Sequence, residues 1–241
     1  MDLGTILESD FDDAVFAGYS DEELAGIIEA APASAKKALA RKVKNSAKRQ
    51  NLIASSTPTN SRGELTRRFN HLPKYIQDGL TRRTLQASDG IIYAIKSVAG
   101  AKSVKMFRDD DNKVTGVCNI SSGKLEKGNF FLMNEIILVS GLAATDDTAG
   151  GTAVNYGLLD TLIRSGELEL RVNGSAVLSA LSTEVFNTKF NDFVHVGSYK
   201  LDNPKLINDQ QGIEVNLEWA NPAPAKMWVK VMLKGTVIMK N

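Results

Sequence analysis

Lysine and arginine supply the clearest chemical signal in the chain. Lys36, Lys37, Arg41, Lys42, Lys44, Lys48 and Arg49 lie in a stretch without an acid, and Arg67, Arg68, Arg82 and Arg83 follow in a second basic segment. Cations at this density bind polyanions by releasing condensed counterions, without reading base sequence. They suit an anionic lipid surface equally well. Residues 1–31 are the opposite, with acids from Asp2 to Glu29 and no Lys or Arg. The formal net charge of +1 conceals this segregation. Two opposite blocks can also pair with each other or with a neighbouring copy, so these cations are candidates for polyanion or partner binding.

The spacings that support catalysis are missing. His71 and His195 are the only histidines, so no HxH or HExxH pair can form, and no GxSxG elbow, Walker loop or GxGxxG occurs. No catalytic residue, cofactor or metal ligand is therefore expected, and no enzyme. His195 reads as a strand histidine, partly buried or at the surface, and His71 as a solvated one. Asp109-Asp110-Asp111 would suit a hard cation such as calcium. A calcium loop starting at Asp109, however, needs glycine where Val114 stands and glutamate where Ile120 stands. An exposed acidic hairpin turn is the expectation there, and Asp146-Asp147 is a weaker candidate still. The single cysteine, Cys118, excludes an intramolecular disulfide and fits a reducing compartment. Its strand-like neighbours make it a small buried hydrophobe. Trp219, Trp228, Tyr156 and Tyr199 are the rings that could stack on a sugar, although Trp219 shares a strand face with Ile213 and Leu217.

These groups must be positioned by two kinds of element. In the first part, Ser20-Asp21-Glu22-Glu23 has the form of a capping box, Ala35, Leu39, Val43 and Ala47 give the basic segment a thin helical face, and residues 51–64 form a connector. Pro73 opens a further helix with Tyr75, Ile76, Leu80 and Leu85. From Gly90 the period changes to two. Ile91–Val98 and Phe130–Val139 read as strands, and Val104–Arg108 and Lys113–Ile120 as a pair joined by the acidic turn. Leu158–Arg164 reads as a short helix. Leu168, Leu170 and Val172 alternate with acids and Arg171 ahead of Asn173-Gly174, the signature of a type I′ hairpin. Ile213–Trp219 and Met227–Met239 complete about eight strands. The first thirty residues lack a basic start and an apolar core, so no secretory signal is expected. Phe130–Ala144 is interrupted by Asn134, Glu135 and Ser140 and is too short to span a bilayer.

The fold class is therefore mainly β: a single antiparallel jelly roll, or β-sandwich, over residues 90–241, with a charged, partly helical N-terminal arm over residues 1–89. Phe130-Phe131-Leu132-Met133-Asn134-Glu135-Ile136, Gly166-Glu167-Leu168-Glu169-Leu170 with Asn173-Gly174, Gly197-Ser198-Tyr199-Lys200-Leu201-Asp202-Asn203-Pro204 and Val229–Val237 give the chain a resemblance. It resembles the jelly-roll capsid proteins of tailless icosahedral bacteriophages. That resemblance implies a structural virion protein without catalytic residues, assembled in a host cytoplasm into homo-oligomers with other virion proteins. Its arm would contact neighbours, genome or an internal membrane. The alternative is a carbohydrate- or receptor-binding β-sandwich module of a phage or cell-surface assembly.

Overall fold

In the computed structural model, residues 61–190 and 194–241 are described. The expectations for the acidic block, and for the helix bearing Lys36 to Arg49, fall outside those residues. Alternating apolar residues build eight strands: β1 (Leu85–Ser97), β2 (Ser103–Lys105), β3 (Phe130–Leu142), β4 (Glu167–Val172), β5 (Ser175–Ser182), β6 (Ser198–Ile207), β7 (Ile213–Glu218) and β8 (Met227–Lys240). They form two four-stranded sheets, ordered β1-β8-β3-β6 and β2-β7-β4-β5. Every pairing is antiparallel. The Asn173-Gly174 hairpin forms as expected, with φ of 51° and 78° at the two turn residues, and it places β4 inside the second sheet and β5 at its edge.

Apolar side chains from the two sheets meet in one cluster. Phe131, Met133, Ile136 and Leu138 of β3 and Val229, Val231 and Leu233 of β8 pack with Leu168, Leu170, Ile213, Val215 and Leu217 of the second sheet. Each such side chain removed from water contributes about 1.5–3 kcal/mol. Met133 and Ile136 are three residues apart, yet both point inward, which strict alternation forbids. The register of β3 shifts between Met133 and Glu135 in its ladders with β6 and β8. Asn134 is the extra residue of that bulge, and it sends Glu135 to the outer face.

One expected pairing does not form. β2 pairs with β7 instead of with residues 113–120. The latter lie along the free edge of β1, where Ile95 N–H donates to the Val117 carbonyl (2.8 Å) and Asn119 N–H to that of Tyr93 (3.3 Å). The Asn119 side chain extends the imitation of a strand, accepting from Tyr93 N–H (2.8 Å) and donating to the Ile91 carbonyl (2.6 Å). An otherwise open edge is thereby covered.

Residues 61–89 depart from the expected arm. Helix α1 (Ser61–Arg68) and helix α2 (Lys74–Thr81) are joined by a 3-10 turn at Phe69–His71. Leu65, Leu72 and Ile76 pack on Phe130, Leu132 and Ile238, on the outer face of the first sheet. The compact unit accordingly runs from Asn60 to Asn241, and β1 starts at Leu85, five residues before Gly90. The physical reason is spacing: an apolar residue recurs about every fourth position in a segment whose surface is basic. Two shorter helices follow, α3 (Thr148–Thr152) and α4 (Thr161–Arg164), capped by the carboxylates of Asp147 and Asp160.

At the end of α2, Arg83 adopts φ 60°, a left-handed position where glycine is the usual residue. A side chain there costs about 1 kcal/mol. Arg83→Gly is therefore expected to raise the thermal midpoint by about 2–4 °C, read in a calorimetric melt.

Candidate functional site

The basic residues within the described segment have separate roles. Arg68 is half-buried and works as a latch: Nη2 donates to the Asp202 carbonyl of β6 at 2.9 Å, and Nε lies 3.9 Å from the Glu64 carboxylate. Glu64 in turn meets Lys200 of β6 at 3.3 Å. Arg67, Arg82 and Arg83 are exposed, and among the described residues their side chains make no ion pair. The geometry thus leaves these three on the outside of the α1–α2 layer, free to meet an anion, and removes Arg68 from that set. Lys36, Lys37, Arg41, Lys42, Lys44, Lys48 and Arg49 lie outside the described residues.

Two of the three carboxylates of the acidic turn are paired with cations. Asp111 accepts from Lys96 Nζ at 2.6 Å and from Arg108 N–H at 2.8 Å, and Asp110 meets Arg108 Nη2 at 2.9 Å. Among the described residues no group of three or more His, Cys, Asp or Glu converges as a metal-binding set would. Asp147 is a helix cap, accepting from Gly150 N–H at 2.8 Å. Cys118 is buried, with Sγ donating to the Ile120 carbonyl at 3.2 Å. Burial pushes its thiol above the ordinary 9.0, so the nucleophilic thiolate is disfavoured. His71 and His195 are both exposed. Among the described residues no helix is long and apolar enough to cross a membrane.

Of the four candidate stacking rings, Trp219 and Trp228 are buried. The Trp219 indole donates to the Ala101 carbonyl at 3.0 Å. Tyr156 is half-buried and donates to the Gly151 carbonyl at 2.8 Å; burial pushes it up to about 12. Tyr199 packs edge-on against Phe186, with centroids 5.8 Å apart. Neither of two open clefts is lined by an aromatic ring. One, of ≈550 Å³, lies between the β1 edge and residues 113–129. The other, of ≈390 Å³, lies beside Leu142 and Leu158.

Two features escaped sequence reading. The first is a polar cluster on the outer face of the first sheet. Glu135 accepts from the Ser198 hydroxyl, and its second oxygen lies 2.9 Å from Lys234 Nζ. Burial raises the Glu135 carboxyl, but the Ser198 and Lys234 hydrogen bonds and the charges of Lys234 and His195 outweigh burial and hold it below the ordinary 4.5. A carboxylate so stabilised is a weak base and does not activate Ser198 as a nucleophile. A carboxyl depressed on folding contributes stability that is present above its unfolded value and lost as pH falls through the folded one. The stability gap between wild type and Glu135→Gln is therefore expected to close as urea melts are repeated at pH values below about 4.5.

The second feature is an apolar end of the sandwich. Leu142, Leu158, Val185, Phe190, Val194 and Val196 are exposed; Leu142 ends β3, and the others belong to the β3–β4 and β5–β6 connections. Buried Thr183 pins these connections together, donating to the Ile163 carbonyl and accepting from Gly166 N–H (3.1 Å). Arg164 lies 3.4 Å from Glu184 across the same junction. Exposed apolar clusters of this kind mark contact surfaces. No signal in the local pattern could have found it, because exposure of these residues is decided by the fold. No family model matches the chain, and no curated protein matches its sequence.

Proposed function

We propose that the β unit is a single jelly roll and that the protein is a structural virion subunit that self-assembles, without turnover. The observation that carries the fold reading is the nesting of its strand pairs. β1 pairs with β8, β2 with β7, β3 with β6 and β4 with β5. One long antiparallel hairpin, folded at β4–β5 and rolled so that alternate pairs fall in opposite sheets, produces this order, with β3–β8 and β4–β7 closing each sheet. Subunits of this shape build shells through their edges and end loops. The apolar connections around Leu158 and Phe190 supply such loops, and the exposed Arg67, Arg82 and Arg83 supply a face for genome, lipid or a neighbour. The N-terminal arm of the proposal is residues 1–60, the acidic and basic blocks together, and the protein resides in the virion after assembly in the host cytoplasm.

The sugar-binding alternative loses its two tryptophan platforms, which are buried, and its tyrosines are half-buried, Tyr156 bonded to the Gly151 carbonyl and Tyr199 packed on Phe186. Electron microscopy of the purified full-length protein tests the proposal: closed particles or regular arrays are expected at low salt. Dispersed single subunits across salt and concentration would overturn it.

A further inference from the structure

Phe190 is 86% exposed, the most of the large apolar residues described, and Leu142 and Leu158 are 64% and 46% exposed. Lys189 holds its ammonium 5.5 Å from the Phe190 ring centroid, so the projecting ring carries a cation beside it. On the same end of the sandwich lies the ≈390 Å³ cleft whose apolar lining is Leu142, Leu158, Leu159 and Met227. A smaller hollow of ≈180 Å³, lined by Lys189 and Val196, shares Leu158, Leu159 and Thr161 with it, so Lys189, the residue before Phe190, borders a hollow that joins the cleft. Asp160 stands at the cleft rim. One of its oxygens caps α4 by accepting from Leu162 N–H at 2.8 Å; the other takes no hydrogen bond from the described residues.

We propose that Phe190 of one copy seats in the Leu142–Leu158 cleft of a second copy, with Lys189 meeting the second copy's Asp160. The occupant is a second copy because the surface carries both halves of the contact: a ring with a cation beside it, and an apolar cleft with a carboxylate at its rim. Each half leaves apolar area in water when the copies are apart. Because the loop bearing Lys189 and Phe190 and the cleft border one hollow, two copies facing each other across a two-fold axis seat both rings at once, and each residue is used twice. The contact rests on the reading of the protein as a self-assembling subunit and names the surface that does the assembling.

The test is sedimentation of the full-length protein against Phe190→Ser, with a thermal melt of each to show that the fold is unchanged. Truncation of a central aromatic anchor weakens association about thirtyfold or more, so the concentration for half-assembly is expected to rise by that factor. Lys189→Glu is expected to weaken assembly, and adding Asp160→Lys is expected to restore it. Restoration is a result that a merely local disturbance does not produce. If wild type assembles and Phe190→Ser assembles equally well, this contact is wrong while the virion reading stands. If wild type itself stays monomeric, both fail.

Discussion

Replacing Gly235 with alanine is expected to cost about 3 kcal/mol or more and to lower the thermal midpoint by about 6–12 °C. Gly235 lies on β8 opposite Met133, at the point where β3 bulges. A Cβ at this position would overlap the Leu132 carbonyl oxygen and approach Met133 Cα to 3.0 Å. Those atoms are backbone of the neighbouring strand, so no rotamer change relieves the clash. Relief requires β3 and β8, the two inner strands of the first sheet, to move apart, with Phe131, Met133, Leu233 and Val231 between them and the second sheet. Gly174→Ala provides the contrast. There the space is open and only the φ of 78° resists a side chain, so a loss of about 1 kcal/mol is expected. Urea melts of both variants check the ranking; equal losses would show that the β3–β8 approach is looser than described.

A chain beginning at residue 90 is expected to fail to reach a cooperative native state, whereas one beginning at residue 60 folds. The shorter chain loses α1, α2 and the first five residues of β1, which pair with Thr236–Lys240 of β8. Phe130, Leu132 and Ile238 are then left without Leu65, Leu72 and Ile76. Ile76 alone is fully buried, and Ile76→Ala is expected to cost about 2–5 kcal/mol. A domain of this kind has a total margin of only about 5–15 kcal/mol, so removing all three cover residues together with five ladder positions consumes most of it. Circular dichroism and urea melts of both chains, with Ile76→Ala in the full-length protein, measure this. A sharp, fully reversible transition in the chain from residue 90 would show that the helices are ornaments on the sheet.

Local chemistry was legible in the sequence, and choices made between distant residues were not. The Asn173-Gly174 turn needs only two residues with positive φ, and the alternation of Ile213, Val215 and Leu217 needs only one buried face. The bulge at Asn134 was hidden because it is set by the partners of β3, not by β3 itself. Residues 113–120 look as though they would pair with the segment before them, and they line β1 instead because the Asn119 amide completes that edge. The basic surface of residues 61–83 masked the apolar stripe beneath it. At the candidate site, the exposure of Arg67, Arg82 and Arg83 follows from their charge. The diversion of Arg68 to Asp202, 134 residues away, and the neutralisation of Asp111 by Lys96 depend on tertiary contacts that no spacing reveals.

The mass of the full-length protein, beside that of a chain beginning at residue 60, by light scattering at low and high salt, tests self-assembly most directly. The proposed virion role predicts full-length assemblies far heavier than a dimer at low salt. These shrink as salt screens the charged blocks, and the shortened chain forms lighter assemblies through its apolar end. A full-length protein that remains a monomer at high concentration in both salts would contradict it.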